Sequence, residues 1–269
     1  MDPVPLTWNE ALSGIFGSIS IASWIFVLVP QMAENYTQSH ADGLSLSFII
    51  IWMIGDIANF AGALWAHLVP TVIALGVYFC AADVVLLAQV VYYRMRGKRV
   101  MEGENEPLIS GRESEGNGTE RAVRMRAWVR NTLSIAAILV VGTAGWAVAW
   151  RTGAWKPSPA EDGEGGVPTP AGAEFLGYMS AVCYLGARIP QIIKNQRERS
   201  CEGLSLLFFM LSLLGNATYG AGILFHSVEK RYFITNLPWL IGSLGTMVED
   251  VVIFAQFSAF GDHAREEVQ

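Results

Sequence analysis

Residues 14–64 align without a gap on residues 174–224, at a fixed offset of 160, and the identities run along the whole segment. They are Gly17/Gly177, Ser20/Ser180, Pro30/Pro190, Gln31/Gln191, Asn35/Asn195, Gly43-Leu44-Ser45-Leu46 on Gly203-Leu204-Ser205-Leu206, Phe48/Phe208, Gly55/Gly215, Ala61/Ala221, Gly62/Gly222 and Leu64/Leu224. Past a short insertion in the second copy, Asp83-Val84-Val85-Leu86-Leu87-Ala88-Gln89 matches Asp250-Val251-Val252-Ile253-Phe254-Ala255-Gln256. Chance does not hold one register that long. The chain therefore folds as two copies of one module, each with three apolar segments and a carboxylate inside the third.

What surrounds the modules follows from charge. Of 269 residues, 52% are hydrophobic and only 16% charged, too few charges for a water-soluble chain of this size. Apolar stretches near 12–32, 46–66, 69–93, 128–150, 173–193, 205–226 and 236–258 are each about 20 residues, the length that crosses a hydrocarbon core of roughly 30 Å. The expectation is an all-α integral membrane protein of seven spans in a 3+1+3 arrangement. Residues 1–93 form the first module, 128–150 a single linker helix and 173–258 the second module. Three spans are an odd number and the linker helix restores direction, so the modules are parallel copies.

Lys and Arg placement sets the orientation. Nine of the 18 lie between the third and fourth spans: Arg94, Arg96, Lys98, Arg99, Arg112, Arg121, Arg124, Arg126 and Arg130. Arg188, Lys194, Arg197 and Arg199 flank the second Pro-Gln pair. The opposite connections hold only Arg151, Lys156, Lys230 and Arg231. The N-terminus is thus expected in the lumen, with the C-terminus, the 259–269 tail and both Pro-Gln turns in the cytosol. The first ten residues lack a basic region and cleavage site, so the first span serves as its own insertion signal.

The 94–127 segment, rich in Arg, Glu, Gly and Ser, reads as a disordered cytosolic loop. Within it, Glu104 stands four residues before Leu108-Ile109, the form of an acidic-dileucine sorting signal that an adaptor would read; a plain linker is the competing reading. Residues 151–172, with Pro157, Pro159, Pro168 and Pro170, read as a lumenal linker.

Other chemistry finds little support. Cys80, Cys183 and Cys201 have no metal-ligand or disulfide spacing. His40, His67, His226 and His263 are scattered near span ends and tails and read as solvated surface groups. No Asn-x-Thr triplet is placed to carry glycan. No nucleophile–base order or phosphate-cradling loop is present, so no enzyme, cofactor, metal or nucleic-acid role is expected.

Two features carry function. Pro30 and Pro190, late in equivalent spans, either kink their helices as hinges or simply end them at the interface, with Gln31 and Gln191 capping. Asp56, Asp83 and Asp250 lie inside apolar spans, where each is costly unless it faces a cavity or a partner. Asp83 and Asp250 are equivalent and are expected on opposite walls of one central cavity, whereas Asp56 corresponds to Asn216. A cationic solute would be their counter-ion, and a protonatable acid could couple it to a pH gradient. Alternatively they pair with Arg188 or hydrogen-bond to Asn59, Asn216 or Tyr219 to lock helices together.

The paired Pro-Gln motifs, the Gly-Leu-Ser-Leu segments, the Asp-Val-Val third helices and the seven spans resemble the PQ-loop family over nearly the whole chain outside the two linkers. Within it the chain is most similar to the vacuolar and lysosomal cationic amino acid transporters. That resemblance implies movement of Lys, Arg and His across an acidic organelle membrane by alternating access, with Pro30 and Pro190 as hinges. The cystine-transporting branch shares an acid matching Asp250 but has a long lumenal domain that is lacking here. Sugar-transporting relatives place asparagines around the centre. A solute-sensing receptor, with the 94–127 loop recruiting cytosolic proteins, is the reading from a different class.

Overall fold

The computed structural model describes residues 6–66, 70–103, 117–157 and 170–266. These form eight helices: α1 (Trp8–Phe26), α2 (Val29–Gln38), α3 (Leu46–Trp65), α4 (Pro70–Gly103), α5 (Asn117–Thr152), α6 (Ala171–Glu198), α7 (Leu206–His226) and α8 (Lys230–Glu266). α1 and α2 make one span broken at Val27-Leu28, so the helical segments number seven. Six are long and apolar enough to cross a membrane. The seventh, α6, carries Glu174, Arg188, Lys194 and Arg197 and packs along α3.

Serine hydroxyls start the second helix of each repeat. Ser45 Oγ accepts from the Phe48 N–H and Ser205 Oγ from the Phe208 N–H, both at 3.4 Å, satisfying donors that a first turn leaves open. At equivalent places Ser39 (φ 56°) and Arg199 (φ 49°) turn the chain left-handed to end α2 and α6.

Packing crosses between repeats. α1 lies on α7 and α3 on α6, the first helix of each repeat against the second helix of the other; α4 backs α3, α8 backs α6 and α7, and α5 leans on α1. The core between them holds Val27, Leu28, Leu44, Phe48, Trp52, Ala187, Phe208 and Phe209. Large apolar side chains such as Val84, Val140, Val182 and Val248 face outward, as hydrocarbon surroundings permit and water does not.

The structure corrects three expectations. Helix replaces the expected disorder at both ends of the 94–127 loop, since α4 runs to Gly103 and α5 begins at Asn117; Glu104, Leu108 and Ile109 fall outside the described residues. Pro30 and Pro190 do not end their helices, which continue to Gln38 and Glu198. Nor are the prolines alike. Pro30 follows the break at Val27-Leu28, whereas Pro190 lies inside the uninterrupted α6.

Candidate functional site

The residues shared by the two repeats converge at one end of the bundle. Gln31, 1% exposed, reaches into the other repeat: its Oε1 accepts from the Ser205 N–H at 2.8 Å and its Nε2 donates to the Gly203 carbonyl at 3.0 Å. Gln191, fully buried, returns the exchange. Its Oε1 accepts from the Ser45 N–H at 2.6 Å and its Nε2 donates to the Gly43 carbonyl at 3.0 Å.

The remaining amide hydrogens are used with the same symmetry. Gln31 Nε2 also donates to Asn35 Oδ1, Asn35 to Gln89 Oε1, and Gln89 to the Met32 carbonyl. In the second repeat Gln191 donates to Asn195, Asn195 to Gln256, and Gln256 to the Ile192 carbonyl. Each glutamine thus holds the entry to a helix of the opposite repeat. The glutamines cap across repeats rather than capping their own helices.

Glycine is required where the two turns meet. A Cβ on Gly43 would stand 2.2 Å from the Glu202 carbonyl oxygen, and Gly203 has φ +75°, a conformation glycine adopts without strain.

Charge lies deeper. Asp56 is mid-helix in α3, roughly 16 Å along the axis from Ser45. Among the described residues four charged side chains are buried: Asp56, Asp83, Arg188 and Asp250. Arg188 Nε donates to Asp250 Oδ1 at 2.8 Å and its Nη2 to Ser212 Oγ at 2.6 Å, while Ser212 Oγ donates to Asp250 Oδ2 at 2.8 Å. The guanidinium also lies 5.0 Å from the Trp52 ring centroid and donates to the Tyr184 carbonyl. Asp250 is therefore a paired acid, with a cation and a hydroxyl holding both oxygens.

The first-repeat acids are held differently. Asp56 Oδ2 accepts from Trp52 Nε1 at 3.1 Å and Oδ1 from the Tyr184 hydroxyl at 2.5 Å. Gly55, just before it, leaves room for the Tyr184 ring, which a Cβ there would meet at 2.9 Å. Asp83 stands beside Asp56, and its Oδ2 is buried with no hydrogen-bond partner.

Asn216 is buried and donates to the Ser212 carbonyl. Asn59 is exposed and Tyr219 half-buried; neither hydrogen-bonds an aspartate. Arg188, counted above with the flanking cations, is 1% exposed and internal.

His226 is not a free surface group either. Its Nδ1 lies 3.4 Å from Glu10 Oε1, at the opposite end of the bundle from the glutamines, with the Tyr232 ring against it. Cys201 lies in the turn before α7, where burial pushes its thiol up to about 11.

Sequence reasoning did not single out Trp52, Tyr184 and Ser212. The signal was in the repeat alignment, at positions where the copies differ. Trp52 aligns with Ser212, Trp24 with Tyr184 and Leu28 with Arg188, so each exchange changes polarity within one frame.

The fold and this centre define a helical multi-span membrane protein whose two parallel three-helix repeats interlock at one end and enclose ionisable side chains at mid-span. A family model described as PQ loop repeat matches residues 12–72 and 172–232. The chain is 36% identical to the vacuolar lysine transporter of Saccharomyces cerevisiae, over 96% of both chains. This chain belongs to the PQ-loop repeat family. It is also 32% identical to the vacuolar histidine transporter of that yeast, over 100% of this chain and 99% of the relative. To the human lysosomal amino acid transporter 1 homolog it is 29% identical, over 94% and 84%.

Proposed function

We propose that this chain carries cationic amino acids, Lys, Arg and His, across a vacuolar or lysosomal membrane by alternating access. The observation that carries the reading is the charge of the buried centre: three carboxyls and a single guanidinium. Buried acids without a counter-ion are costly in a membrane, and a cationic solute supplies what they lack. Relatives named as vacuolar lysine and histidine transporters support the same assignment.

In this reading the N-terminus is lumenal and the glutamine seam cytosolic, as the Lys and Arg distribution indicates. The seam is then a closed cytosolic gate, with Pro30 and Pro190 as the hinge residues beside it. Asp56, Asp83 and Asp250, with Asn59, Asn216 and Tyr219, are the candidates for substrate contact, and the same carboxyls would couple a proton gradient. Glu104, Leu108 and Ile109 would supply the sorting signal.

Counterflow in proteoliposomes, with each standard amino acid tried in turn, tests the function. Exchange of lysine and arginine, barely reduced by leucine, glutamine or glucose, is expected. Equal competition by glucose or cystine would move the chain to another branch of the family. No flux of any solute would favour a receptor.

A further inference from the structure

The two halves of the buried centre are not equivalent, although the repeats that build them are. Asp83 and Asp250 are matching residues in the third helix of each repeat. Asp250 meets Arg188 and Ser212. The positions aligned with those two are Leu28 and Trp52 in the first repeat, neither of which brings a positive charge. Asp83 consequently has no built-in counter-ion. Asp56, beside it, has Asn216 as its repeat equivalent, so the first repeat adds an acid where the second has an amide.

Among the described residues no Lys, Arg or His nitrogen lies within ion-pairing distance of Asp56 or Asp83. Asp83 is 1% exposed, and its carboxyl lies against that of Asp56, with no donor group of the described residues reaching its Oδ2. Two carboxyls in contact and out of water cannot both keep their charge unaided. A proton shared between them or a cation set beside them completes the pair. Aromatic rings wall the same place: Trp52 and Tyr184 stand at 6.0 Å between centroids, each donating to Asp56. Carboxyls beside aromatic faces form the environment that holds an ammonium or guanidinium group away from water.

We infer that Asp56 and Asp83, with Trp52 and Tyr184, form the subsite for the side-chain cation of the transported amino acid, while Asp250 is neutralised from within by Arg188. This division rests on the transport reading above and adds which acids discriminate charge. Selectivity for a cation belongs to the first-repeat half. Tyr184 is a positioning residue, since its hydroxyl holds Asp56.

Counterflow with the purified full chain separates the two halves if arginine is compared with citrulline, which has nearly its shape without its charge. Wild-type protein should prefer arginine. Asp56→Asn and Asp83→Asn should each shrink that preference by about tenfold or more, through loss of arginine rather than of citrulline. Asp250→Asn should slow both solutes together and leave their ratio in place. Asp56→Glu, which keeps the charge, should retain most of the preference, and Tyr184→Phe should raise the arginine KM more than it lowers kcat.

Arginine-induced protection against thermal unfolding reads the same subsite without transport. It should persist in Asp250→Asn and vanish in Asp56→Asn. The inference is overturned if Asp56→Asn keeps the wild-type ratio and protection, if Asp56→Glu loses the preference as fully as Asp56→Asn, or if Asp250→Asn alone collapses the ratio. Absence of arginine exchange in wild-type protein would instead defeat the transport reading.

Discussion

Gly43 and Gly203 meet backbone to backbone across the boundary between the repeats: a Cβ on Gly43 would stand 2.4 Å from the Gly203 carbonyl carbon. Since the obstructing atoms are backbone, no side-chain rotation relieves the overlap. Gly43→Ala should force the two turns apart and lower stability by about 1–3 kcal/mol. Gly145→Ala, where nothing lies within 4 Å, should not. Thermal unfolding in detergent distinguishes the pair, and equal midpoints would show the contact to be slack.

The glutamines should behave as a coupled pair. Gln191→Leu strands the Ser45 N–H and the Gly43 carbonyl, and Gln31→Leu strands their counterparts at Ser205 and Gly203. Each orphaned buried group costs about 1–3 kcal/mol. In a double-mutant cycle the combined loss should be smaller than the sum of the single losses, because releasing one clasp already loosens the other. Strict additivity would mean the clasps act independently.

The Arg188–Asp250 pair makes a prediction of opposite sign for single and double changes. Arg188→Leu leaves Asp250 buried without its cation and should cost about 3–5 kcal/mol. Adding Asp250→Leu should recover most of that loss, since an apolar pair no longer requires compensation. Unfolding midpoints of the three variants check this; a double variant as unstable as the single one would refute it.

The prolines should differ from each other. Pro30→Ala restores an N–H that can close on the Phe26 carbonyl across the Val27-Leu28 break, whereas Pro190→Ala acts within a helix that is already continuous. If the break is the moving part, Pro30→Ala should slow exchange by about tenfold or more and Pro190→Ala by less than about threefold. Equal slowing by both variants would make the two prolines equivalent hinges, and parental rates in both would place the hinge elsewhere.

The sequence made the architecture readable because membrane spans require continuous apolar length, and because a duplicated module repeats its own pattern. Pro30, Gln31, Asn35 and the Gly43–Leu46 run stood out as identities, but which of them bond each other did not, since the glutamines reach Gly203, Ser205, Gly43 and Ser45 across the two repeats. Alignment pairs Gln31 with Gln191; the fold pairs Gln31 with Ser205. Arg188 carried two readings in one dimension. Two residues before Pro190 it reads as a flanking cation and, equally, as a buried partner for an aspartate inside a span; the position of α8 decides for the second and selects Asp250. Trp52, Tyr184 and Ser212 are ordinary span residues in one dimension, and contacts between α3, α6, α7 and α8 give them their roles.

Reciprocal capping also determines how many resting forms the glutamine end can have. A half-open arrangement would leave one helix start uncapped and one turn carbonyl bare while the opposite clasp still held the turns together. Such a form bears most of the cost of opening and gives no passage. The end therefore behaves as a two-key latch, shut or released as a unit, with few molecules caught between.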